Sequence, residues 1–260
     1  MSDDFEMADG SRPDAKPLSA EAGKKFPLSA FTILQGGDVF EMMNGKPPAE
    51  GPPRARAYVQ KAIVLDRHGV GVEYEDRVRS EMVRQLSGNT QLVSRLEAAR
   101  PISVDVIPEG VQMSKFGYPK GVSRNASGLF WDHPDWPKAR IAFRQERLLT
   151  EGHLVVHEMA HAISFLAFTE EERDAVYRIM LPTYRAKVAV DEVFAIYSER
   201  EFQNAFRDID KRAPGVYGMA RQRWNENHVF TRFVRNLYFP YKPLAGPRAS
   251  GMGGGPNLFG

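Results

Sequence analysis

His157-Glu158-Met159-Ala160-His161 sets two metal-binding side chains four residues apart with an acid between them. On a helix, residues four apart stand one above the other, so both imidazoles can reach one cation. Glu158 directly follows the first histidine, where a carboxylate can take a proton from water activated at that cation. The flanks, Leu154-Val155-Val156 and Ala162-Ile163, are apolar and predict a buried helix from about Thr150 to Phe168. His153 lies four residues before His157 and therefore on the same face. It is expected as an outer neighbour, because a fourth protein ligand would close the site to water.

Two histidines do not complete a catalytic zinc site, and a third protein ligand has to come from elsewhere. One class takes a third histidine from the same stretch, after a glycine. Here Ser164 and Ala167 stand at those two positions, which excludes that class. The other common source is a glutamate on the next long helix, and Asp191-Glu192-Val193-Phe194-Ala195-Ile196-Tyr197-Ser198-Glu199 offers one. Glu192, Ala195, Ile196 and Glu199 share a face by their three-and-four spacing, and small Ala195 permits close approach to the motif helix. Glu192 is the expected ligand, with Asp191 about a quarter-turn away. Glu199, two turns along, is the expected hydrogen-bond partner of a ligand histidine. Zn2+ held by His157, His161 and Glu192 would keep one position open, with Glu158 as general base.

The elements that must position these groups alternate between strand and helix signals. Apolar residues recur at helical spacing from Tyr74 to Leu86, and again through Leu92, Val93 and Leu96 after the Gly88-Asn89 break. Ile102 to Ile107 and Ala139 to Arg144 alternate as strands, and Leu129-Phe130-Trp131 suits a short one. Thr169 to Glu172 form a capping box for a helix that Pro182 is expected to end. A further helix is predicted from about Val190 to Phe206, and a terminal one over 214–238. Gly45 to Pro53 reads as a proline-rich linker, excluded from helix and central strand. The expected fold is α+β, a small sheet packed on the metal-binding helix with a helical C-terminal part. Residues 1–55 form an arm-like segment, 56–240 the catalytic domain (lead-in 74–100, core 101–206), and 241–260 a glycine-rich tail.

Composition narrows the function classes. The 260 residues hold 35 basic and 33 acidic side chains, a net charge of +2, with the basic residues scattered. That speaks against nucleic acid as the main partner. No cysteine is present, so any zinc is held by nitrogen and oxygen, as suits a catalytic centre. Met1 to Lys16 is acidic and polar, unlike a secretory signal, and no apolar run reaches membrane-spanning length. The expected location is cytoplasmic, or outside the cell by a signal-peptide-independent route.

Residues 100 to 205 resemble the gluzincin metallopeptidases, most closely the catalytic domain of the anthrax lethal factor group and the Pro-Pro endopeptidases. The resemblance rests on the strands at 102–107 and 139–144, on His157 to His161, and on Glu192-Val193-Phe194-Ala195. It implies a zincin-like fold and a zinc-dependent endopeptidase with a polypeptide substrate. It also implies an oxyanion-stabilising tyrosine about two turns before the ligand glutamate, where Tyr184 stands; His228 is the rival donor. Strand order in that family implies that Ala139 to Arg144 is the edge offered to an extended peptide. Two positions depart from the family: Ile196 replaces the frequent acid four residues after Glu192, and Ala160 the glycine before the second histidine. His68 and His133 lie in turn-rich sequence with no partner pattern. The competing readings are a catalytically silent zincin-like binding module and a protease effector toxin acting in a target cell.

Overall fold

The computed structural model describes residues 51–123, 126–133, 135–184, 187–203 and 229–239. The arm before residue 51, residues 204–228 of the expected C-terminal helices and the tail from 240 onward lie outside the described residues. In chain order the elements are α1 (Gly51–Ala62), β1 (Ile63–Asp66), α2 (Val72–Leu86), α3 (Thr90–Ala98), β2 (Ile102–Ile107), a 3-10 turn (Met113–Phe116), α4 (Lys120–Ser123), β3 (Gly128–Trp131), β4 (Ala139–Arg144), α5 (Gln145–Leu148), α6 (Leu154–Leu166), α7 (Glu170–Tyr184), α8 (Lys187–Gln203) and α9 (Val229–Tyr238). Together they make an α+β arrangement around one four-stranded sheet.

The sheet order is β1-β2-β4-β3, with β1, β2 and β4 parallel and β3 antiparallel to β4. β2 and β4 are strands over the residues whose alternation predicts them. Val104, Val106, Ile141 and Phe143 face the main core with the helices. Ile107 and Ala142 face a second, smaller core with Met113 and Tyr118. Period-two alternation produces this division, since successive side chains in a strand leave opposite faces.

α6 packs on β3 and β4 on one side and on α8 on the other, so the metal motif lies between sheet and helix. Ala160 and Ala195 are fully buried, and residues this small let two helices approach closely. The capping box opens α7 as predicted. The Thr169 amide donates to Glu172 Oε2 at 2.9 Å, and the Glu172 amide donates to Thr169 Oγ1 at 3.2 Å. Asn89 caps α3, its side-chain oxygen accepting from the amides of Gln91 and Leu92. α9 docks on α8 through Phe230, Phe233, Val234 and Leu237, all buried.

Three expectations need correction, and one strand lies outside all of them. Pro52 and Pro53 lie in the first turn of α1, not in a linker. First-turn amides have no helical acceptor, so proline forfeits no bond there. β1 carries no sequence signal of its own, because four residues are too few to display a period. α7 continues two residues past Pro182; the missing amide removes one bond in the last turn rather than stopping the helix. Finally, β4 is paired on both sides, and the outer strand beside α6 is β3. Among the described residues no helix is long and apolar enough to cross a membrane.

Candidate metal centre

The four-residue spacing on α6 brings His157 Nε2 and His161 Nε2 to 3.2 Å. Glu192 reaches both from α8, with Oε2 3.5 Å from His157 Nε2 and Oε1 3.5 Å from His161 Nε2. These three side chains form a group that could hold a metal ion. The imidazoles are nearly closed off, whereas the Glu192 side chain keeps 31% of its surface exposed, so the centre opens on the Glu192 side.

Behind His157, Glu199 Oε1 lies 2.5 Å from Nδ1 and is itself buried. A carboxylate at that distance holds the proton on Nδ1 and turns the Nε2 lone pair toward Glu192 and His161. The supporting acid stands seven residues after Glu192, where the sequence places it. Seven residues are two helical turns, so Glu192 and Glu199 share the α6-facing side of α8.

Burial opposes charge on both histidines, but their carboxylate partners outweigh it. Glu192 and Glu199 hold the His157 pKa well above the usual value, and Glu192 raises that of His161. Burial likewise opposes ionisation of Glu192, yet hydrogen bonds from the two imidazoles keep its carboxyl well below the usual carboxylate range. Two imidazolium rings cannot both donate across 3.2 Å. Two protonated rings at that distance repel each other, and the same three side chains could instead hold one metal ion.

Glu158 points from α6 to the outer strand. Its Oε2 accepts the Phe130 amide at 2.8 Å, and burial pushes its carboxyl up from the usual value. The Arg144 amide donates to Ser127 O at 2.9 Å, so odd positions of β3 turn their backbone toward β4. Gly128 and Phe130 therefore turn their amides and carbonyls outward, past Glu158. A Cβ on Gly128 would lie 2.8 Å from Glu158 Cγ and Oε1, so only glycine admits the carboxylate here. Neither Gly128 nor Phe130 is a metal-ligating or titratable residue, so spacing alone does not mark them. The available signal is a glycine opening an aromatic strand, which marks close approach by another group.

Of the remaining candidates, His153 is buried at the N-cap of α6, its Nε2 3.7 Å from Glu151 Oε2, away from the three donors. Asp191 turns aside as its position predicts and accepts from Tyr177 Oη, 3.1 Å from each carboxylate oxygen. Burial pushes its carboxyl up to about 6. The Tyr184 side chain and the whole of His228 lie outside the described residues. His68 does have a partner: its Nε2 lies 2.9 Å from Asp105 Oδ1, on the sheet face away from α6. No family model, curated protein or solved structure matches this chain.

Proposed function

We propose that this chain is a zinc-dependent endopeptidase of zincin-like fold, as its resemblance to the gluzincins implies. The observation that carries the reading is that His157 Nε2 and His161 Nε2, 3.2 Å apart, each have a Glu192 oxygen 3.5 Å away, Oε2 for the first and Oε1 for the second. Nitrogen and oxygen ligands about 2.0–2.1 Å from a tetrahedral cation lie about 3.3–3.4 Å from one another, so this donor set fits zinc. Two imidazoles and one carboxylate leave the fourth position open, as catalysis requires. The absence of cysteine and the Glu199 partner on His157 support the same assignment.

His157, His161 and Glu192 would hold the ion, which supplies Lewis acidity that polarises a carbonyl and lowers the pKa of water to about 7. Glu158 accepts the proton of the attacking water and returns it to the leaving amine as the peptide C–N bond breaks. Its upward-shifted carboxyl suits both directions of transfer. The outward amide of Gly128 and the outward carbonyls of Gly128 and Phe130 seat an extended peptide as an added strand, replacing the role expected of Ala139 to Arg144, while the Phe130 amide stays on Glu158. The oxyanion donor is assigned by resemblance to Tyr184. Comparing Tyr184→Phe with His228→Ala decides between it and its rival.

The test is a peptide-library cleavage screen with added zinc, run on the parent and on Glu158→Gln. The expected result is cleavage by the parent and loss of at least about 100-fold in the variant, with zinc content retained in both. Equal behaviour of the two chains in every assay would instead mark a silent binding module.

A further inference from the structure

Four large apolar side chains are exposed among the described residues, and Phe165, at 40%, is the only aromatic one. It stands four residues after His161 on α6, one turn along the ligand-bearing face. Side chains on a helix lean toward its N-terminus, so the ring covers surface on the His161 side. The Phe130 ring meets it with centroids 5.6 Å apart and planes tilted by 40°. The Arg173 guanidinium lies 5.9 Å from the Phe165 centroid, held there by a bond from Nη1 to Phe165 O at 3.2 Å. An aromatic pair thus borders the centre on the outer-strand side, with a cation at its rim.

Resting on the peptidase reading above, we propose that Phe130, Phe165 and Arg173 form a shelf that selects an aromatic side chain in the peptide beside the cleaved bond. Gly128 and Phe130 share the α6 face of β3, while Leu129 and Trp131 point to the second core. A peptide strand laid outside β3 presents a side chain to that same face about every 6.6–6.8 Å. One of them falls over the Phe130 ring when its neighbours pair with the outward backbone. An aliphatic guest gains only apolar burial there. An aromatic guest gains in addition the offset or edge-on geometry against the Phe130 and Phe165 rings, with the Arg173 charge at the rim.

The test compares matched peptides carrying phenylalanine or alanine at each position flanking the bond that the parent cleaves. Binding is read by fluorescence anisotropy on the full chain carrying Glu158→Gln, with and without zinc, and kcat/KM on the active chain. The expected result is a preference for phenylalanine of about tenfold or more at one position in both readouts. Phe165→Ala should bring that ratio close to one, with Phe165→Leu and Arg173→Ala intermediate. A preference that survives Phe165→Ala, or a parent that cleaves peptides without regard to aromatic residues, overturns the shelf and leaves the peptidase standing. A parent that neither binds nor cleaves any library peptide overturns both.

Discussion

Two glutamates on one helix divide the work around His157: Glu192 faces Nε2 and Glu199 faces Nδ1. Removing them should have separable effects. Glu192→Ala takes away a ligand, and zinc retention should fall below detection by elemental analysis of the dialysed protein. Glu199→Ala leaves the three donors in place but frees the His157 ring to rotate, and zinc affinity should drop about 10- to 100-fold in a chelator competition titration. Protons compete with the metal at the same atoms. Both ligand histidines have pKa values raised above 6.5 without metal, so acid keeps them charged and excludes the ion. Glu192 is held ionised throughout this range and contributes no pH step of its own. Zinc affinity should therefore rise with pH through and beyond the ordinary histidine range, with proton release on binding that calorimetry in buffers of differing ionisation enthalpy reveals. The stability of the metal-free chain should show the opposite sign. A raised folded-state histidine pKa stabilises below the unfolded value of 6.5 and loses that contribution as pH rises through the folded value. Affinity that is flat with pH would contradict the ligand assignment.

The α6–α8 pair and the β3 edge meet at Glu158, and each can be perturbed alone. Gly128→Ala sets a methyl group into the space of Glu158 Cγ and Oε1, so either the carboxylate or the strand must shift. Peptide turnover should fall by at least about tenfold, as small misplacements at a reacting centre cost that much or more, while zinc content stays unchanged because the side chains nearest that position are Glu158 and Leu154. From the other side, Gln85 Nε2 on α2 donates to Val156 O at 3.1 Å and to Tyr238 Oη at 3.2 Å. Tyr238 Oη in turn donates to Ser198 Oγ at 3.0 Å. This buried chain ties the residues immediately before His157 and Glu199 to α2 and α9. Tyr238→Phe should cost about 1–3 kcal/mol in denaturant unfolding, because Gln85 and Ser198 lose a buried partner. The motif, both central strands and the capping box were legible at this scale because each repeats its signal over several turns or residues. The outer-strand assignment was not, since pairing partners lie far apart in the chain.

Across the described residues, the sheet separates the candidate metal centre from a second polar cluster. Asp105 is buried on the far face and accepts from Tyr118 Oη and Arg140 Nη2, each at 2.7 Å, with His68 Nε2 at 2.9 Å. Arg140 lies between the rings of Tyr118 and Trp136, 4.4 and 5.0 Å from their centroids. Asp105→Ala leaves a half-enclosed guanidinium without its charge partner. It should destabilise the chain by about 3–5 kcal/mol with zinc affinity of the folded protein preserved, as equilibrium unfolding and zinc titration would show. The amino-acid sequence by itself determined the paired imidazoles, the acid between them, the helix that carries them and two strands of the sheet, because helical and strand periods are local properties of the backbone. Only tertiary structure decided that Glu199 meets His157 rather than His161, that Gly128 yields space to Glu158, and that β3 is the outer strand. Those outcomes depend on how closely helices and strands pack across dozens of residues, and no local spacing encodes that distance.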